Sequence, residues 1–306
     1  MRTLLALFIL TSTAYAAPRV IYGDDNRIDV EHIINPQIKL LSNSIAGRVS
    51  NANILIHGDT FNYGHTPKLS DPWTENVCSD EKFANQKSLP DCTGFLVGPD
   101  LLATAAHCVM NTDEIIKNEE TRLCTKYAWV FDYKTKGGKV KTRGLSVNKI
   151  YKCKEVIVAD YRGMNDYALV RLDREVEGRL PLKIRRVGQV KKNMRLFTVG
   201  HPSGLPLKYT DKGSVVSNDE KEFFTVSLDT FHGNSGSPVF NSETLEVEGI
   251  LVRGRTDYVD GEFEGKYCQR VNRCEQDGKN CEIDDPEFEG QGEHATRITR
   301  LLKYLP

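Results

Sequence analysis

The sequence predicts an all-β protein built from many short strands, either a barrel or a sandwich. Three observations carry that expectation. Apolar runs are brief and are separated by Gly, Pro, Asn and Asp. Two of them, Gly94-Phe95-Leu96-Val97 and Leu101-Leu102-Ala103-Thr104, flank Gly98-Pro99-Asp100, a hairpin turn in composition. Only Ala295 to Leu305 reads as helix, with Ile298, Leu301, Leu302 and Leu305 on one apolar face.

Taken in order, residues 1–16 form a signal peptide. Arg2 supplies the positive start, Leu4 to Leu10 the apolar core and Ala14-Tyr15-Ala16 the cleavage site. The apolar run is too short to span a bilayer, so no membrane anchor is expected in the mature chain. Two mature starts then compete: Ala17, or Val20 after a further cut behind Arg19 that makes 17–19 a short propeptide. Ile38 to Leu41 and Ile54 to Ile56 read as strands, and the polar stretch 57–91 as a surface insertion. Further strands are expected at Tyr127 to Tyr133, Lys149 to Tyr151, Ala168 to Leu172, Leu196 to Val199, Phe223 to Leu228 and Val247 to Val252.

The 306 residues, 39% of them hydrophobic, suit a globular core in one large or two small domains. A formal net charge of -1 offers no bulk attraction to nucleic acid or a membrane surface. All eight cysteines follow the signal segment, and an even count in an exported chain reads as disulfides. No pair has the C-x-x-C spacing of structural zinc sites. The acidic, Cys-rich stretch 256–290 includes Asp277-Gly278 and Asp284-Asp285, but its spacing does not fit a calcium loop. No metal and no cofactor is expected.

Chemistry concentrates in three places. Asp229-Thr230-Phe231-His232-Gly233-Asn234-Ser235-Gly236-Ser237-Pro238 sets a serine between glycines, as an exposed nucleophile on a tight turn requires. Gly233 frees a backbone N–H for an oxyanion, and Gly236 leaves room for substrate. His107 follows the hairpin in Thr104-Ala105-Ala106-His107-Cys108, where a Cys92–Cys108 bridge would brace a general base. Asp166 enters the apolar strand Tyr167-Ala168-Leu169-Val170, a costly burial unless the carboxylate has a partner.

Together these motifs resemble the chymotrypsin/trypsin-fold serine peptidases, a likeness running from about residue 20 to the end. It implies two six-stranded β-barrels, the first over about 38–180 and the second over about 190–294, followed by a C-terminal helix over about 295–305. It also implies a catalytic triad of His107, Asp166 and Ser235, an oxyanion hole from the N–H groups of Gly233 and Ser235, and the Cys92–Cys108 disulfide. Cys124–Cys153 is expected as a second bridge, and Cys78, Cys268, Cys274 and Cys281 allow three pairings. Gly-Asn-Ser-Gly-Ser-Pro and the stretch from Val20 to Arg27 are similar to bacterial glutamyl endopeptidases. That similarity favours Val20 as the mature start, docked by hydrogen bonds because Asn234 cannot form an ion pair.

By the same resemblance Asp229, Thr230, Val252, Arg253 and Gly254 bind substrate. Asp229 falls where trypsins place the acid that selects Arg or Lys, the preference expected here. Leu251 falls where relatives that cleave after Glu carry a histidine, although Arg253 and Arg255 leave acid preference as the alternative. His232 reads as a solvated rim residue, and His201 has no catalytic role. The implied function is an exported, monomeric serine endopeptidase acting on proteins or peptides. The rivals are an inactive extracellular binding module and a serine esterase, which requires Gly-x-Ser-x-Gly on a strand-to-helix elbow.

Overall fold

The computed structural model describes residues 21–110, 123–275, 281 and 292–306. The expected signal peptide over 1–16, the expected propeptide over 17–19, Val20 and most of the acidic stretch beyond 275 lie outside these residues. Twelve strands close two antiparallel barrels. The first contains β1 (Ile45–Ser50), β2 (Cys92–Leu96), β3 (Leu101–Thr104), β4 (Tyr127–Phe131), β5 (Ile150–Asp160) and β6 (Tyr167–Leu172). Its closed order is β5-β6-β3-β2-β1-β4. The second contains β7 (Arg195–Gly200), β8 (Lys208–Ser217), β9 (Phe223–Val226), β10 (Pro238–Asn241), β11 (Val247–Arg253) and β12 (Glu293–Arg297). Its order is β7-β10-β11-β12-β9-β8, closed by pairing of β8 with β7, and Ile28–Asp29 adds to the outside of β8.

Side-chain alternation explains why two barrels share one seam. In β6, Ala168, Val170 and Leu172 point into the first barrel beside Leu96, Leu102, Trp129 and Phe131. Tyr167 and Leu169 point the other way, into a core shared with Phe197, Phe240, Ile250 and Ile298 of the second half. Leu196, Val215, Phe224, Val239, Leu251 and Ala295 fill the second barrel.

Three expectations are corrected. Ile38 to Leu41 is helical, in α1 (Pro36–Leu41): Asn35 caps the N–H groups of Gln37 and Ile38, and Pro36 sits in the first turn, where its missing N–H costs nothing. The C-terminal helix starts later than 295. Ala295 pairs with Phe224 on one side and Leu251 on the other, so the ladder claims Glu293–Arg297 and only Ile298–Tyr304 coils, with 3-10 geometry. The 57–91 stretch is not simply a surface loop. Thr60–Tyr63 is a strand, and Leu69, Val77 and Ala84 bury around Leu205.

Four disulfides are present: Cys92–Cys108, Cys124–Cys153, Cys78–Cys268 and Cys274–Cys281. Cys78–Cys268 fastens the 57–91 stretch to a hairpin of Tyr258–Phe263 and Lys266–Val271. No described helix is long and apolar enough to cross a membrane.

A buried lysine knits the N-terminal segment to this frame. Lys208 Nζ donates to Asp29 Oδ1 at 2.7 Å, Gln86 Oε1 at 2.7 Å and the Pro206 carbonyl at 2.8 Å, which uses all three of its protons. Burial nevertheless pulls its pKa down to about 8. Replacing Lys208 with Ala leaves the Asp29 carboxylate buried without its cation. The expected loss is about 3–5 kcal/mol of stability, read from a urea melt, and a loss below 1 kcal/mol would show that the network is dispensable.

Candidate active site

Strand register places the first two candidate residues. Ala168 of β6 pairs with Thr104 of β3, so Asp166, just before β6, lies beside the turn that follows β3. In that turn, Ala106–Cys108, Asp166 Oδ1 accepts from Ala106 N at 2.7 Å and His107 N at 3.3 Å. Asp166 Oδ2 accepts a hydrogen bond from His107 Nδ1 at 2.8 Å. This assignment turns the Nε2 lone pair outward. Asp166 is wholly buried, and the His107 side chain retains 25% of its exposure. The Cys92–Cys108 disulfide and the Arg48 guanidinium, which donates to the Cys108 carbonyl, hold the turn from behind.

The second barrel brings Ser235 to the same place. Thr93 of β2 donates its N–H to the Ser235 carbonyl at 2.8 Å and its Oγ1 proton to the Gly233 carbonyl at 2.8 Å. Cys108 Sγ lies 3.6 Å from the same Ser235 oxygen. Among the described residues, Ser235 Oγ makes no hydrogen bond to His107 Nε2. Among the described residues, the N–H groups of Gly233 and Ser235 have no acceptor.

Both glycines are required, one for a reason different from that expected. Gly233 has φ +82°, and a Cβ there would lie 2.5 Å from the His201 carbonyl oxygen. Gly236 has φ +88°, and its Cβ would lie 2.0 Å from the Thr93 carbonyl oxygen. Gly236 therefore makes room for the first barrel's backbone rather than for substrate.

A cavity of about 160 Å³ opens beside Ser235, lined by Thr230, Phe231, His232, Leu251, Val252, Arg253, Gly254, Arg255, Asp257 and Glu293. Asp229 does not line it. Its Oδ1 accepts from Tyr22 N at 2.8 Å and its Oδ2 from Asn26 N at 3.1 Å, so this acid anchors the N-terminal segment. Two acids line the cavity: Asp257, which His232 engages, and Glu293. The Glu293 carboxylate accepts from Tyr22 Oη at 3.0 Å and Thr230 Oγ1 at 3.0 Å, and a side chain at Gly254 would strike it. Arg253 is occupied elsewhere, donating to the carbonyls of Met164 and Asn165 and standing 4.0 Å from Asp166 Oδ2. Asn234 stays within its own turn, where its Oδ1 accepts from Ser237 Oγ at 3.3 Å.

His232 is not merely solvated. Its Nδ1 lies 2.7 Å from Asp257 Oδ2 and its Nε2 3.0 Å from Glu75 Oε1, which leaves its side chain 47% exposed. Burial opposes the charge, but the two carboxylates prevail and push the imidazole up to about 10. His201, by contrast, is wholly buried with Nδ1 on the Leu205 carbonyl, and burial pulls it down to about 4. It belongs to the scaffold. Sequence reasoning missed Thr93, Glu293, Glu75 and Asp257. Glu293, flanked by Gly292 and His294 at the end of an acidic stretch, carried no motif signal either.

A family model for the trypsin-like peptidase domain matches residues 92–250. The chain is similar to a solved Glu endopeptidase in complex with MPD: 17% identity, TM-score 0.47, covering 83% of this chain and 93% of that one. It is also similar to the active form of the Rv3671c protease from M. tuberculosis: 15% identity, TM-score 0.42, covering 88% and 89%. No curated protein matches the chain.

Burial raises Asp229 to about 7 and Glu293 to about 8, from ordinary values of 3.8 and 4.5. Between the ordinary and raised values the folded chain keeps protons that the unfolded chain has released. These two groups therefore favour folding most at the acidic end, and their contribution falls as pH rises through about 4 to 8. Glu293→Gln removes one of them. Its stability relative to wild type should improve between pH 5 and pH 8 by on the order of 2 kcal/mol, read from paired denaturation curves. A pH-independent difference would contradict a raised Glu293.

Proposed function

This chain belongs to the trypsin-like peptidase domain family, and we propose that it is an exported serine endopeptidase with Ser235 as nucleophile, His107 as general base and Asp166 as the orienting carboxylate. The observation that carries this reading is the 2.8 Å bond from His107 Nδ1 to a wholly buried Asp166, on a turn packed against the carbonyl of Ser235. Ser235 Oγ attacks the substrate carbonyl carbon while His107 Nε2 takes its proton, and Asp166 stabilises the imidazolium. The N–H groups of Gly233 and Ser235 receive the oxyanion, each such donor contributing about 3 kcal/mol. Collapse of the tetrahedral species breaks the C–N bond, and His107 returns the proton to the departing amine. Water, deprotonated by the same imidazole, then hydrolyses the acyl-enzyme.

Four disulfides support an oxidising compartment and hence export. For the residue before the scissile bond the reading remains Arg or Lys, with the selecting acid now Glu293, because Asp229 does not line the cavity and Asp257, which does, is engaged by His232. Arg253 and Arg255 line the same cavity and support preference for Glu as the second reading.

An active-site serine phosphonate probe should label wild type but not Ser235→Ala, which should also lose casein digestion by about a millionfold in kcat. Asp166→Asn should retain labelling at a rate reduced about 10⁴-fold. A folded wild type without Ser235-dependent label would favour the binding module, and label without peptide cleavage an esterase. A fluorogenic peptide panel decides specificity: Glu293→Gln should lower kcat/KM on Arg and Lys substrates about 100-fold while sparing others. Cleavage after Glu alone would assign the cavity to the two arginines.

A further inference from the structure

We propose that His232 is a positioning residue that fixes the direction of the Gly233 N–H, and that Glu75, from the 57–91 stretch, is part of the same lock. The proposal rests on the serine-peptidase reading and assigns an activity role to residues outside the triad.

Four polar atoms of His232 are held. Its N–H donates to Asp257 Oδ2 at 2.7 Å, and its Nδ1 donates to the same oxygen at 2.7 Å. Its Nε2 meets Glu75 Oε1 at 3.0 Å, and its carbonyl accepts from Ser203 N at 2.7 Å. The last bond belongs to the peptide whose other end is the Gly233 N–H. In a trans peptide the C=O and N–H point in opposite directions. Fixing the carbonyl on Ser203 therefore aims the N–H away from Ser203, on the opposite side of the peptide. A peptide next to glycine is otherwise the easiest to flip, because glycine occupies both signs of φ. Ser203 is in turn fixed, with Oγ 2.5 Å from Tyr258 Oη and its carbonyl accepting from Ser88 Oγ at 2.7 Å.

The pairs to Glu75 and Asp257 are partly exposed, and pairs of that kind add little to global stability. Their effect is local. They hold a ring whose backbone carries the donor, and they extend the lock to the segment that Cys78–Cys268 fastens to the 258–271 hairpin.

The test compares wild type, Glu75→Gln, His232→Gln and His232→Arg, using a fluorogenic peptide that wild type cleaves and a peptide boronate. The boronate's tetrahedral adduct places an oxygen in the oxyanion hole, so its affinity reports the Gly233 donor independently of turnover. With one donor misaimed, His232→Gln should lower kcat about 10- to 100-fold and Glu75→Gln about 3- to 10-fold, with KM within about twofold of wild type. The boronate inhibition constant should rise by the factor by which kcat/KM falls. His232→Arg, able to reach both carboxylates, should recover most of the loss. Thermal midpoints should stay within a few degrees, and the isosteric Glu75→Gln serves if His232→Gln fails to fold. Unchanged kcat in Glu75→Gln, or a KM effect with unchanged boronate affinity, overturns the proposal. Absence of Ser235-dependent phosphonate labelling in wild type defeats the peptidase reading itself, whereas normal labelling with unchanged kinetics defeats the lock alone.

Discussion

Two hydrogen bonds from Thr93 hold the rest of the site in register. Each barrel satisfies its own backbone by closing on itself, so neither ladder dictates where the other barrel sits. The shared apolar core sets a distance between the barrels but no angle, because hydrophobic contact is non-directional. Direction comes from Thr93 on β2, whose N–H and hydroxyl seize the carbonyls of Ser235 and Gly233. The close approach this demands explains Gly236, where any side chain would strike Thr93 or Thr104. Without that seam, the His107–Asp166 pair and the serine would be two correct halves in unrelated places.

Around the seam lies a second layer of buried charge. Arg27, wholly buried, pairs with Asp25 at 2.8 Å and stacks over Phe231 of the Ser235 loop at 4.2 Å. Asp229 and Glu293 accept from the N-terminal segment through the Tyr22 N–H and hydroxyl. These groups cost desolvation and stabilise weakly in net terms, but they bind only partners of fixed geometry. Buried polar contacts thus add, with the Thr93 bonds, the directionality that the apolar core lacks.

The sequence made the local chemistry legible and left the long-range contacts dark. Strands with clear alternation, such as Ala168 to Leu172, were readable because one face alone is apolar. His107, Asp166 and Ser235 stood out because each sits in a recognisable motif, and the structure pairs the first with the second. Ile38 to Leu41 misled because the Asn35 cap and Pro36, not the apolar run, decide its conformation. Asp229 misled for another reason: six residues from Ser235 fixes its place on the chain, not which way its carboxylate turns. Glu75 and Asp257 were invisible, since their partner His232 is distant in sequence from the first and unmarked by any pattern.

The bridge between Cys78 and Cys268 spans 190 residues and joins the two ends of the molecule's assembly. A chain emerging from its N-terminus can complete the first barrel long before Cys268 exists. Cys78 must therefore remain an unpaired thiol through most of synthesis, near Cys92 and Cys108, which lie closer in sequence. Correct pairing depends on those two closing first, which their short separation and the β2–β3 hairpin favour. The order in which the chain appears thus becomes part of how its cysteines find their partners.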